Sequence, residues 1–315
     1  MPDVPAAPPI RVLAHRGASA RWPEHTRAAY AQALADGADG LECDVRLSSD
    51  GVPVCWHDAD VDRTSDGTGP VHGLTLAQLR SLDVVTWATG RVSEPAATLQ
   101  RARDARPQLL TLAELVELAR GAGRPVHLAI ELKHPVPYGY AAEDAVLAVL
   151  RAAGWDRATG TIGAIGTLTL DLMSFHPGSL EHLASAGRDV PPARLMVLLD
   201  DADLEAVVKG HSPGVDPSAP VVAAVRRLVA RAFEMAATGA VGGVGPGVGL
   251  LRRRPDLVRG WVAAGSLVRG WTVDEENDLA LCQRLGVAEV TSNVPDRLLG
   301  LLGRDRARRG APPAS

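Results

Sequence analysis

Short apolar runs alternate with helix-like segments along almost the whole of this chain, and several of the runs end on ionisable residues. Leu13-Ala14-His15-Arg16-Gly17 closes the first run, and Gly40-Leu41-Glu42-Cys43-Asp44-Val45 is the second. Val54-Cys55-Trp56-His57-Asp58 and Leu128-Ala129-Ile130-Glu131-Leu132-Lys133 follow the same pattern. A strand-helix-strand rhythm implies a parallel sheet, because parallel strands need a crossover between them. About eight such strands in a chain of 315 residues predict a (β/α)8 barrel with one insertion. His15, Glu42, Glu131 and Lys133 all fall at strand C-terminal ends, where such a barrel places its chemistry. A doubly wound open sheet is the alternative. It would bind ligand at one switch point rather than around a ring of strand ends. No Gly-x-Gly-x-x-Gly element follows the first strand, which argues against a dinucleotide fold.

The elements read as follows. A helix spans about 26–36 and is stopped by Gly37. Ser49-Asp50-Gly51 is a turn that returns the chain as a strand over 52–56. Thr75-Leu76-Ala77-Gln78 and Thr111-Leu112-Ala113-Glu114 are capping boxes that open helices. Further helices are expected near 141–153, 179–186, 217–237, 254–264, 275–285 and 296–302. Strands are expected within 161–175 and at 195–199, 241–244, 267–273 and 287–292. Residues 59–108 break the rhythm and read as an insertion whose part from 88 to 108 is irregular. The whole is a single domain over 10–302, followed by a disordered tail at 303–315.

Composition removes several function classes. Hydrophobic residues make up 46% and charged residues 22%, ordinary for a globular protein. A net charge of −4, no basic block and only 3% aromatic residues argue against nucleic acid as a partner. The uncharged stretch from Met235 to Leu251 is short and weakly apolar for a membrane span; a buried strand with a Gly-rich loop suits it better. Cys43, Cys55 and Cys282 are odd in number and widely spaced, so they read as buried thiols. With no secretory leader pattern over Met1–Pro9, a reducing, cytoplasmic location is expected.

The chemistry sits in the strand ends. On an extended backbone Glu42 and Asp44 share a face, and two acids side by side on a buried surface repel and lose hydration. With Glu131 they suit a hard divalent cation such as Mg2+ or Ca2+. The alternative is pairing with arginines such as Arg16 or Arg46. His15 and His57 are candidates for acid and base. Arg16 and Lys133 are candidates to neutralise an anionic substrate, phosphate above all, unless they pair with the same acids. Trp271 offers an apolar wall to substrate or a core side chain. His176 reads as a site residue or a helix start. Cys43 and Cys55 lack a neighbouring base in sequence, which argues against a thiol nucleophile.

Assembled in order, these residues resemble the glycerophosphodiester phosphodiesterase family. Ala14-His15-Arg16-Gly17 resembles its opening His-Arg-Gly motif, and Pro23-Glu24-His25-Thr26 its Pro-Glu-Asn-Thr element. Glu42-x-Asp44, His57-Asp58, Arg63-Thr64 with Gly67-x-Gly69, Glu131-x-Lys133, Gly270-Trp271-Thr272-Val273 and Thr291-Ser292-Asn293-x-Pro295-Asp296 continue the likeness from Val12 to Leu302. The resemblance implies a (β/α)8 barrel with an insertion after the second strand unit. It implies that Glu42, Asp44 and Glu131 bind one divalent cation, that His15 and His57 are acid and base, and that Arg16 and Lys133 contact phosphate. Glu24 is similar to a further acid near the metal. The implied reaction is hydrolysis of a small glycerophosphodiester to glycerol 3-phosphate and an alcohol. A lysophospholipid-directed enzyme and a non-catalytic phosphodiester binder are the alternatives. The chain departs from the family pattern at His25, where Asn is usual, and at Leu110-Thr111-Leu112, where Pro-Thr-Leu is usual. The Gly/Thr-rich stretch from Thr159 to Leu170 matches nothing in it. Gly242–Gly249 looks unusually flexible for a strand.

Overall fold

The computed structural model describes residues 9–104, 107–163, 168–185, 187–200 and 220–304. Eight parallel strands close on themselves: β1 (Arg11–His15), β2 (Gly40–Leu47), β4 (Val126–Leu132), β7 (Leu168–Ser174), β8 (Leu195–Leu199), β9 (Gly243–Pro246), β10 (Leu267–Gly270) and β11 (Glu289–Ser292). β11 pairs back onto β1, with Arg11 opposite Glu289 and Ala14 opposite Ser292, which closes the barrel. The short β3 (Pro53–Cys55) folds back antiparallel on β2, as the Ser49-Asp50-Gly51 turn predicts. Two strands the sequence reading does not separate, β5 (Trp155–Asp156) and β6 (Thr161–Ile162), run antiparallel beside β7. Residues 164–167 lie outside the described residues.

The helices are α1 (Arg27–Asp36), α2 (Leu76–Ser81), α3 (Ala96–Asp104), α4 (Leu112–Arg120), α5 (Ala141–Ala152), α6 (Pro177–Ala184), α7 (Pro220–Thr238), α8 (Val248–Arg253), α9 (Pro255–Ala263), α10 (Glu276–Leu285) and α11 (Pro295–Leu301). Both capping boxes form: Thr75 caps α2 with Gln78 reaching back, and Thr111 caps α4 with Glu114 reaching back. α4 buries Leu112, Leu115, Val116 and Ala119, a stripe at helical spacing. Each fully buried Leu or Val there contributes about 1.5–3 kcal/mol. Three expectations need correction. Residues 96–104 are helical, not irregular; only Leu99 of α3 is buried, so the sequence carries no apolar stripe to reveal it. Residues 248–253 form a helix before the expected one, which starts after Arg254 at Pro255. The strand at 267–273 stops at Gly270. The start of the helix expected at 217 and the tail from residue 305 lie outside the described residues.

The main core lies between strands and helices, and a second layer fills the barrel interior with Leu13, Ala129, Met173, Met196 and Leu198. The Gly-rich β9 is a close-packing element, not a flexible one. A Cβ on Gly243 would meet Met196 at 2.7 Å, and one on Gly245 would meet Leu198 at 2.5 Å. The segment between β3 and α4 carries its own apolar cluster, in which Val54, Trp56, Val61, Val71, Leu79, Val85 and Leu99 pack beside the barrel mouth. Among the described residues no helix is long and apolar enough to cross a membrane.

Candidate active site

The site begins where β1 turns. Arg16 and Gly17 both take positive φ, 58° and 86°. A Cβ on Gly17 would lie 2.7 Å from the backbone of Ala29, so the turn needs glycine there twice over. The turn aims the backbone N–H of Arg16 at Glu42 Oε2, 3.0 Å away. It also leaves the His15 ring at the barrel mouth. His15 Nδ1 is 2.8 Å from Asn293 Oδ1, and Nε2 is 4.0 Å from Glu42 Oε2. Burial, with Arg16 beside it, pushes the His15 pKa down to about 4.

Glu42 and Asp44 lie on β2, and register places Glu131 of β4 opposite Asp44. All three are buried, and their oxygens lie within 4.8 Å of one another. Asp44 collects the nearby cations. Lys133 Nζ is 2.9 Å from its Oδ1, and Arg16 Nε (3.1 Å) and His25 Nε2 (2.9 Å) meet its Oδ2. Burial alone would raise Asp44, but Lys133, His25 and Arg16 hold it well below the usual carboxylate range. Burial and the charge on Asp44 push Glu42 well above that range. Burial carries Glu131 up to about 7, although Lys133 Nζ lies 2.7 Å from it. Three buried carboxylates converging in this way suit a hard divalent cation with oxygen ligands. A second buried group, His127, Asp171 and Glu289, gathers its polar atoms within the same 4.8 Å. There the Arg269 guanidinium already donates to Asp171 Oδ2 at 2.6 Å and to Glu289 Oε2 at 2.7 Å, and it supplies the cation.

His57 is anchored differently. Its Nδ1 is 2.6 Å from Asp58 Oδ1, and Asp58 accepts from Arg63, which also bridges to Glu24 at 2.8 and 2.9 Å. Burial opposes ionisation of Asp58, but Arg63 and His57 outweigh it and hold the acid at about 2. Glu24 behaves alike, at about 2, with Arg63 and Arg16 outweighing burial. His57 itself is lowered by burial.

His15, Arg16, Glu42, His57, Glu131, Lys133 and Trp271 all line one cavity of about 690 Å³, and Asp44 is buried beside it, touching Arg16 and Lys133. The structure thus brings these eight candidates together, while His176 lies outside the cavity. Arg16 and Lys133 both pair with acids, and Arg16 also donates to Glu24 at 3.0 Å. Arg46 lies along the cavity wall with its Nε on the His57 carbonyl at 2.9 Å. Trp271 donates to the Gly245 carbonyl at 2.7 Å and meets Phe175 edge-on, which makes one apolar wall. His176 caps α6 by accepting from the Ser179 N–H, the helix-start reading. His25 takes a φ of 61°, a left-handed position that Asn and His tolerate better than most residues. Its Nδ1 reaches Tyr30 Oη at 2.8 Å, and Tyr30 donates to the Glu42 carbonyl at 3.2 Å. Sequence reasoning gave no role to Asp58, Arg63, Asp274 or Asn293. The signal for Asn293 was its place in the last strand motif; Asp274 had none.

A model of the glycerophosphoryl diester phosphodiesterase family matches residues 15–297. The chain belongs to that family. It is 36% identical over 298 residues to a probable glycerophosphodiester phosphodiesterase 1 of Mycobacterium tuberculosis, covering 94% of this chain and 93% of that one. A glycerophosphodiester phosphodiesterase of Bacillus subtilis is 29% identical over 91% of this chain and 84% of its own. The same fold is seen in an Oleispira antarctica phosphodiesterase solved in complex with the product sn-glycerol-3-phosphate. The TM-score is 0.69 at 23% identity, over 94% and 97% of the two chains. Members of this family are phosphoric diester hydrolases that act on glycerophosphodiesters, and this chain is one of them.

Proposed function

We propose that this chain hydrolyses glycerophosphodiesters to sn-glycerol 3-phosphate and an alcohol, with one divalent cation, Mg2+ or Ca2+, held by Glu42, Asp44 and Glu131, and with His15 and His57 exchanging the protons. The observation that carries the reading is the meeting, at one cavity, of three buried carboxylates and two histidines whose Nδ1 atoms are both tied down. A cation bound there would supply positive charge to a phosphoryl oxygen. Arg16 and Lys133 add charge beside the phosphate as it gathers negative charge in the transition state. One histidine takes the proton of the attacking hydroxyl, from water or from the substrate's own glycerol. The other returns a proton to the alkoxide as its bond to phosphorus breaks. Trp271 and Phe175 wall the site against bulk water. Cys43, Cys55 and Cys282 are buried free thiols, which suits work in the cytoplasm.

The apolar side of the cavity favours a second reading. Val225, Leu228, Val229 and Ala232 of α7 line it, together with Leu198, Leu199, Phe175 and Met173. An alcohol that carries an acyl chain, as in a lysophospholipid, would rest there. Phosphodiesterase activity is to be measured with a chelator and after adding back Mg2+ or Ca2+. Loss and recovery support the cation reading; activity that ignores the chelator removes it.

A further inference from the structure

His15 is joined to the carboxylate of Asp274 through one side chain. Asp274 Oδ1 accepts from the backbone N–H of Asn293 at 2.8 Å and from Ser292 Oγ at 3.0 Å, and Oδ2 accepts from Asn293 Nδ2 at 2.7 Å. A carboxylate has only acceptors to offer, so the Asn293 amide can lie only one way round. Its Nδ2 faces Asp274 and its Oδ1 faces His15 Nδ1 at 2.8 Å, with Ser19 Oγ also 2.8 Å from that oxygen. An amide oxygen donates nothing. The proton between it and the ring therefore sits on Nδ1, and Nε2 carries the lone pair.

We propose that Asp274 and Asn293 are positioning residues that lock His15 in its Nδ1–H tautomer, so that Nε2 meets the substrate able to take a proton. The catalytic part of this rests on the reading of His15 as one of the two proton-transferring histidines. Asp58 does the corresponding work for His57 directly, from the next residue in the chain. Asp274 acts on His15 at one remove, and the intervening amide lets it set the tautomer without placing its charge against the ring.

Asp274→Asn makes the argument testable because it preserves shape. The new side chain still has to accept from the Asn293 N–H and Ser292 Oγ, so its oxygen keeps the Oδ1 place and its Nδ2 takes the place of Oδ2. That nitrogen then faces Asn293 Nδ2, two donors with no acceptor. The Asn293 amide turns over, its Nδ2 faces His15 Nδ1, and the ring proton moves to Nε2.

The experiment is NMR of the full chain carrying 15N-labelled histidine, with His15 assigned by the signals missing in His15→Gln, alongside steady-state kinetics. Wild type is expected to carry the His15 proton on Nδ1. Asp274→Asn is expected to move it toward Nε2 and to lower kcat about tenfold or more with little change in KM, the direction of a wrong-tautomer lesion. Ser292→Ala removes a different contact to the same carboxylate and should leave the His15 signals unchanged. A wild-type His15 protonated on Nε2 overturns the lock, and this measurement suffices even where Asp274→Asn does not fold. An inverted tautomer with unchanged kcat, or a lowered kcat with the tautomer intact, overturns the positioning role. Full activity in His15→Gln instead overturns the two-histidine reading, and the tautomer measurement then stands apart from it.

Discussion

Asp44 and Glu42 sit two residues apart on one strand yet live in opposite electrostatic surroundings. Asp44 faces Lys133, His25 and Arg16 and is held ionised. Glu42 lies buried against that charge and resists ionisation. Glu42→Gln should therefore abolish cation-dependent activity while the chelated protein unfolds at the same or a higher denaturant concentration. A Gln variant active at limiting cation would remove Glu42 from the ligand set. Lys133 is the converse case. It bridges Asp44 and Glu131 at 2.9 and 2.7 Å, so Lys133→Met leaves two buried acids short of a partner. The expected cost to the metal-free fold is about 3 kcal/mol, from the usual penalty for breaking a buried pair. If Lys133 also meets the phosphate as charge builds, kcat falls as well. Lost stability with unchanged kcat and KM would make it only the acids' partner.

At the scale of elements, α7 supplies much of the apolar wall of the cavity. Val225, Leu228, Val229 and Ala232 recur at helical spacing and give one aliphatic stripe facing the chemistry across the mouth. Leu228→Gln should raise KM about tenfold for a substrate bearing an acyl chain, the worth of one to two buried methylenes. It should leave a glycerophosphodiester of a small alcohol unchanged. Equal effects on both substrates would make the stripe a packing surface rather than a substrate wall. Elements with a strong local code were legible in the chain. The two capping boxes placed α2 and α4, and the Ser49-Asp50-Gly51 turn placed the β2–β3 hairpin. α3 was not legible, because one buried residue makes no period.

The whole barrel is pinned from inside by a buried ionic network that the sequence reading overlooked. Arg269 bonds Asp171 and Glu289, His127 lies 3.0 Å from Asp171, and Arg11 pairs with the other oxygen of Glu289. These residues come from β1, β4, β7, β10 and β11, so the network ties together strands remote in sequence. Arg269→Met should destabilise the fold by about 3 kcal/mol near neutral pH, because it leaves buried Asp171 with only His127 and buried Glu289 with only Arg11. Burial opposes ionisation of Asp171, but Arg269 and His127 hold its pKa well below the ordinary value. An acid depressed in this way stabilises the fold above its unfolded pKa of about 3.9, and that contribution fades as pH falls toward the folded value. The gap between wild type and variant in denaturant melts should thus narrow on acidification below about pH 4. A gap independent of pH would mean that lost packing of the arginine stem, not its charge, carries the effect.

What the sequence determined by itself was the strand-helix rhythm, the closed barrel it implies and the eight residues gathered at one cavity. The barrel follows from periodicity, and the eight residues from ionisable or aromatic positions in short local motifs whose order resembles one family. The partnerships were decided only by tertiary structure. His15 meets Asn293 across 278 positions of sequence, Arg269 meets Asp171 across 98, and Lys133 chooses Asp44 as well as Glu131 through the β2–β4 register. No local propensity encodes such pairs. They exist because closing a parallel barrel brings side chains of distant strands together in a low-dielectric interior and at its mouth, where each buried charge and each ring proton must find a partner.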